Sequence, residues 1–198
     1  MSPRRPQGDE TWHRLLLWTS GQKASERLAG HILAAEGFDS IDPSHPLGGR
    51  DGLKDLVCWK SGIKWVAAAY FPTGQKSFAN IKSKFDDDVK GVDANNAGGF
   101  VFITNQHLSN GERENLKSGT TVPNVEIYHL ERIVLVLDRP ESYGVRQDFL
   151  GIDMTSEEIV AFFASTASII NEWREFRNGG WREEVWQWIQ EATSKHPG

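Results

Sequence analysis

The chain has almost no cysteine. Cys58 stands alone among 198 residues, so no disulfide forms within the chain, and no Cys/His set has the spacing of a zinc site. A reducing, cytoplasmic home is the expectation. Long hydrophobic runs are missing too. The LLLW of the opening MSPRRPQGDETWHRLLLWTSG is too short for a signal peptide or a membrane span, and residues 1–21 are expected to be a frayed tail. Positive charge is in deficit, with 22 basic against 27 acidic residues, which argues against a protein that holds nucleic acid by bulk electrostatics. Internal repeats and low-complexity stretches are absent.

Tryptophan, by contrast, is abundant: eight residues, four of them in the last 26. The length suits one domain with a full core, alone or with a small appendage. Charge is unevenly spread. Residues 50–90 carry 8 basic and 5 acidic groups, whereas residues 91–198 carry 9 and 16.

Periodicity gives the element order. GQKASERLAGHILAAEGF places Leu28, Ile32, Leu33 and Ala35 on one stripe and ends at Gly37, predicting a helix. FDSI is a short strand, SHPLGGRDG a loop, and DLVCW and IKWVAAAYF are strands joined by the turn KSG. Phe78, Ile81, Phe85 and Val89 then fall at helical spacing. GGFVFIT is apolar without alternation, as in a strand buried on both faces of a parallel sheet. Ser109 with Glu112, and Thr155 with Glu158, have capping-box spacing and open two further helices. NVEIYHL is a strand and ERIVLVLD is helical, while NGG at 178–180 breaks the long helix and WREEVWQWIQEAT makes a last one. The result is an α/β sandwich with a mixed sheet.

The stretch LGGRDGLKDLVCWKSGIKWVAAAYF holds the candidate chemistry. A metal-dependent phosphodiesterase needs carboxylates that hold a divalent cation against the phosphate, and usually a lysine near the attacking water. Asp51 ends a glycine-rich loop, Asp55 starts a strand, and Glu26 on the preceding helix is a third carboxylate.

Helix, GGRDGLKD, strand, turn and strand together resemble the restriction-endonuclease-like superfamily with the PD-(D/E)xK motif, particularly its methyl-directed and defence-associated branch. The order matches across about residues 22–130. The resemblance implies an αβββαβ core with a mixed central sheet flanked by helices over 22–153; the two helices read from the later periodicity make a C-terminal helical hairpin over 154–198. It implies that Asp55 and Glu26 bind Mg²⁺, with Asp51 in the adjoining loop. In that family the next strand carries an acidic residue or Gln followed two residues later by Lys. Here the alternation of side chains puts Ala68 and Tyr70 at those positions, and neither supplies a ligand or an ammonium. Some members move the lysine to a neighbouring element; Lys76 and Lys82 are the local candidates, although Lys82 also has the spacing of a helix-surface pair with Asp86. Arg50, Lys54, Lys76 and Lys82 are the expected nucleic-acid contacts.

The patterns YFPTGQKSF, KSKFDDD, FVFITNQHLSNGERENL and VEIYHLERI, over residues 25–158, also look like an N-terminal module of bacterial anti-phage proteins. The expected function is therefore a defence module that binds or senses nucleic acid, with DNA as partner, through a degenerate nuclease site. The alternatives are an active Mg²⁺-dependent DNase with a migrated lysine, and a protein–protein adaptor. A defence-system partner, or self-association through the hairpin, is the expected protein contact, with no membrane.

Other residues are weighed against structural roles. His45 and His129 read better as a turn residue and a satisfied structural histidine. Thr104, Asn105 and Gln106 follow a central strand, where ligand groups gather, or simply cap it. Asp86, Asp87 and Asp88 point in different directions on a helix and read as a solvated face.

Overall fold

The computed structural model describes residues 9–43 and 55–178, with side chains to Ala167. It divides into two compact units, Met1–Asp153 and Met154–Gly198. The first is built on a five-stranded sheet in the order β1 (Asp39–Pro43), β2 (Leu56–Lys60), β3 (Ile63–Tyr70), β4 (Gly99–Thr104) and β5 (Asn124–Tyr128). β2 runs antiparallel to both its neighbours, β1 and β3, and β3, β4 and β5 run parallel. The sheet is thus mixed and open, and the α/β class expected from the periodicity is observed.

Local chemistry explains the elements. The β2–β3 hairpin turns at Ser61 and Gly62, both at positive φ (53° and 77°), the backbone of a tight two-residue hairpin turn. Between β3 and β4 lie α3 (Phe78–Asp88) and the short α4 (Gly91–Ala94). Between β4 and β5 lies α5 (Asn110–Ser118), which starts at the complete Ser109–Glu112 capping box.

Two apolar layers sandwich the sheet. Val66, Ala68, Phe100 and Phe102 face Ile81 and Phe85 of α3 and Leu116 of α5. Trp65, Ala67, Ala69, Val101 and Ile103 face the other layer, made of α1 (Asp9–Leu16), α2 (Gln22–Ala35), α6 (Leu130–Leu137) and α7 (Tyr143–Leu150). Trp65 needs the absence of a side chain at Gly99: a Cβ there would sit 2.5 Å from the indole ring carbons.

One expectation is corrected. Residues 9–18 are no frayed tail. Leu15 and Trp18 are buried in the main core, and Thr11 Oγ1 donates to Asp138 Oδ1 at 2.7 Å, an oxygen that also accepts from the buried Arg146 at 3.1 Å. The second unit is described through α8 (Ser156–Asn178), whose first turn carries the reciprocal bonds Thr155 N to Glu158 Oε2 and Glu158 N to Thr155 Oγ1. The helix expected over WREEVWQWIQEAT lies outside the described residues. No helix among the described residues is long and apolar enough to cross a membrane.

Candidate functional site

β2 runs antiparallel to β3, so its first residues lie beside the carboxyl end of β3, where the ends of β4 and β5 also lie. In an open α/β sheet this is the edge at which ligands are met. Leu56 pairs with Ala67 and is the last residue of β2 to do so. Beyond it, Ala69 would have no strand partner for its N–H and C=O. Side chains take over: Asp55 Oδ2 accepts from Ala69 N at 2.7 Å, and Gln22 Nε2 of α2 donates to Ala69 O at 3.1 Å. Asp55 therefore extends the ladder by one bond while placing a carboxylate at the rim.

Glu26 lies one turn after Gln22 on α2. Burial pushes its carboxyl above the ordinary range and the negative charge of Asp55 pushes it further, against a hydrogen bond from Gln22. Asp55 is likewise raised by burial, against the Ala69 N–H and the positive charge of Lys84. The two carboxylates expected to act together are thus close enough to repel.

Two partners of this site were not expected from the sequence. Asp88, read as part of a solvated run, is buried. Lys84 Nζ binds its Oδ1 at 2.5 Å. Burial raises the Asp88 carboxyl, Lys84 opposes that, and the charges of Asp55 and Asp87 add to the rise. The rest of the run behaves as expected: Asp86 pairs with Lys82 at 2.7 Å and the exposed Asp87 with Lys90 at 2.7 Å. A signal for Asp88 existed, because it continues the Ile81–Phe85 stripe at i+7.

The strand between these groups offers no chemistry. Ala68 is buried against the α3 layer, and Tyr70 is half-buried with its ring stacked on Phe102 at 6.3 Å between centroids. Arg50, Asp51, Lys54 and His45 lie outside the described residues.

Most of the lysine excess is internally neutralised. Lys60 pairs with Glu126, Lys82 with Asp86, Lys84 with Asp88 and Lys90 with Asp87. Lys64 Nζ donates to Asn95 O. Lys82 is thus a helix-surface residue, as its spacing suggested. Lys76 differs, because its ammonium has no bonding partner among the described residues, while its backbone N–H donates to Gln106 Oε1 at 2.6 Å. That bond holds it at the carboxyl edge.

Thr104, Asn105 and Gln106 are fully buried and used up in structural bonds. Thr104 Oγ1 donates to Tyr70 O, Asn105 Nδ2 to Leu15 O and Pro72 O, and Gln106 Nε2 to Gly74 O. They shape the loop after β3 rather than a ligand. His129 is a satisfied structural histidine: its Nδ1 meets Glu131 Oε2 at 2.7 Å, while His107 Nδ1 meets Oε1 of the same carboxylate at 2.5 Å. Burial lowers the His129 pKa, against its bond to Glu131.

No group of three or more His, Cys, Asp or Glu side chains gathers closely enough to cage a metal among the described residues. Two raised carboxyls, one of them raised further by the other's charge, still suit Mg²⁺, which commonly takes one or two protein carboxylates and completes its shell with water and substrate phosphate. Glu26 and Asp55 are the residues that would hold it. Comparison with family models, with curated proteins and with solved structures finds no match.

Proposed function

We propose that this protein is a cytoplasmic, nuclease-like module of a bacterial anti-phage defence system that binds or senses DNA on a restriction-endonuclease-like scaffold without cleaving it. The observation that supports this most is the proximity of Glu26 to Asp55 at the rim of the sheet, where the Asp55 charge raises the Glu26 carboxyl, beside a strand whose answering positions are Ala68 and Tyr70. Mg²⁺, when bound, would neutralise the carboxylates and present a positive charge to a phosphate. Lys76, fixed by Gln106 with its ammonium unpaired, is the described lysine best placed to meet the backbone beside it. The defence context comes from the sequence resemblance.

A second reading, an active Mg²⁺-dependent DNase, is favoured by one observation: Lys84 lowers the Asp55 carboxyl pKa through its charge and so lies within electrostatic reach of it. Lys84 is held by Asp88, which weighs toward the binding reading.

Fluorescence anisotropy of a labelled duplex, titrated at several salt concentrations with and without Mg²⁺, tests the proposal. Binding is expected to weaken as salt rises, to strengthen with Mg²⁺, and to lose the Mg²⁺ effect in Asp55→Asn, which keeps an acceptor for Ala69 N–H. Lys76→Ala is expected to weaken binding about threefold to tenfold at low salt, the scale of one phosphate contact of roughly 1 kcal/mol. No binding at any salt would remove nucleic acid as the partner.

A further inference from the structure

Two histidines share one carboxylate at the edge where β4 and β5 end. His107 follows β4, and His129 and Glu131 flank the start of α6, directly after β5. Each oxygen of Glu131 takes one ring: Oε1 meets His107 Nδ1 at 2.5 Å and Oε2 meets His129 Nδ1 at 2.7 Å. Burial alone would raise the Glu131 carboxyl, but the bonds from the two histidines outweigh it and hold the carboxyl below its ordinary range. A charged carboxylate only accepts, so each ring turns an Nδ1–H toward it.

The two rings are not equivalent. The His129 side chain is 15% exposed and that of His107 59%. Burial lowers the His129 pKa against its bond to Glu131, which favours the neutral ring. His107 keeps its Nε2 without a bonding partner among the described residues. Histidine is the side chain whose charge ordinarily changes between about pH 5 and 8.

The backbone brings Lys76 to the same place. Gln75 Oε1 accepts from His107 N at 3.0 Å, Gln75 Nε2 donates to His107 O at 3.3 Å, and Lys76 N donates to Gln106 Oε1 at 2.6 Å. These bonds stitch residues 75–76 to residues 106–107. The charges around His107 balance. On α5, Glu112 feels the His107 ring, and the positive charge of Arg113 reaches His129. Glu131 comes from α6 and Lys76 from the loop after β3, while α1 supplies the uncharged Trp12 N–H, 3.5 Å from Glu131 Oε1. Two carboxylates thus stand against two cations, and a proton on His107 leaves the patch net positive. A net positive patch at the rim attracts a backbone phosphate.

We infer that His107 is a proton-gated phosphate contact: its Nε2–H, with the Lys76 ammonium beside it, binds the DNA backbone, and Glu131 positions the ring and favours its charged form. The inference rests on the reading that this rim meets DNA.

Anisotropy of a labelled duplex with the full chain, in EDTA so that metal takes no part, is read against salt from about pH 5.5 to about pH 8, across the range in which histidine changes charge. One added phosphate contact steepens the logarithmic salt dependence by about 0.9. The parent is expected to show that steepening at the acid end, and His107→Gln to lose it. His107→Arg, charged throughout, is expected to keep the steep slope at the alkaline end. Glu131→Gln is expected to move the transition to lower pH, because a carboxylate favours the imidazolium. Binding whose slope does not change with pH in the parent, or whose steepening survives His107→Gln, would overturn the inference and leave the DNA reading standing. A shallow slope in His107→Arg or an unmoved transition in Glu131→Gln would overturn it too. No binding at any pH would overturn both.

Discussion

Asp55 serves the fold and the site at once, and the two roles oppose each other. Its Oδ2 satisfies Ala69 N–H where β2 begins, yet its ionised form is disfavoured because it is buried. A carboxyl whose folded pKa lies above the unfolded value of about 3.9 contributes stability that is present at low pH and is lost as pH rises through the folded value. At neutral pH the charge is therefore a cost. Asp55→Asn is expected to raise stability at pH 7 by about 1 kcal/mol, a size common for relieving a functional-site compromise, with the gain shrinking as pH falls toward about 4. Urea midpoints at pH 7 and pH 4 measure it, and an Asn variant less stable at pH 7 would contradict it. Gly99 offers a second residue-level check. Its missing Cβ makes room for Trp65, so Gly99→Ala is expected to cost about 1–3 kcal/mol through overpacking, read from the same denaturation curves. That Asp55 and Glu26 lie near one another was expected from the sequence, and the fold by itself assigns them no role. The burial of Asp88 was legible only in part: its stripe position pointed inward, but its neighbours Asp86 and Asp87 made the run look solvated. That Gly99 must be glycine was not legible, because the ring that fills its place comes from another strand.

At the scale of elements, periodicity located the strands and the longer helices, and both capping boxes form where the spacing placed them. Such signals are local, set by residues three or four apart. α1 was missed because its anchors are distant in sequence. Its Thr11 reaches Asp138, and the carbonyl of its Leu15 accepts from Asn105. An eight-residue helix of mixed polarity gains little from its own propensity, and tertiary contacts hold it. Leu15→Ala is accordingly expected to cost about 2–5 kcal/mol, the range for a fully buried leucine. A denaturant midpoint unchanged from the parent would return residues 9–18 to the status of a tail.

At the scale of the molecule, the mixed order of strands follows from connection lengths. The antiparallel step from β2 to β3 is made by a two-residue turn, and the two parallel steps are made through helices. That arrangement collects the start of β2 and the ends of β3, β4 and β5 along one edge, which is why Asp55, Glu26 and Lys76 share a rim although they span fifty residues. Net charge, by contrast, was a poor guide to the surface, because most lysines of residues 50–90 are consumed by neighbouring carboxylates. Under the proposed function this rim holds DNA and does not cut it. Its most direct test is incubation of supercoiled and linear DNA with the full chain in Mg²⁺ or Mn²⁺, alongside Asp55→Asn and Lys84→Ala. All DNA is expected to remain intact with every protein. Cleavage by the parent chain that disappears in both variants would contradict it and make Lys84 the lysine of a working nuclease.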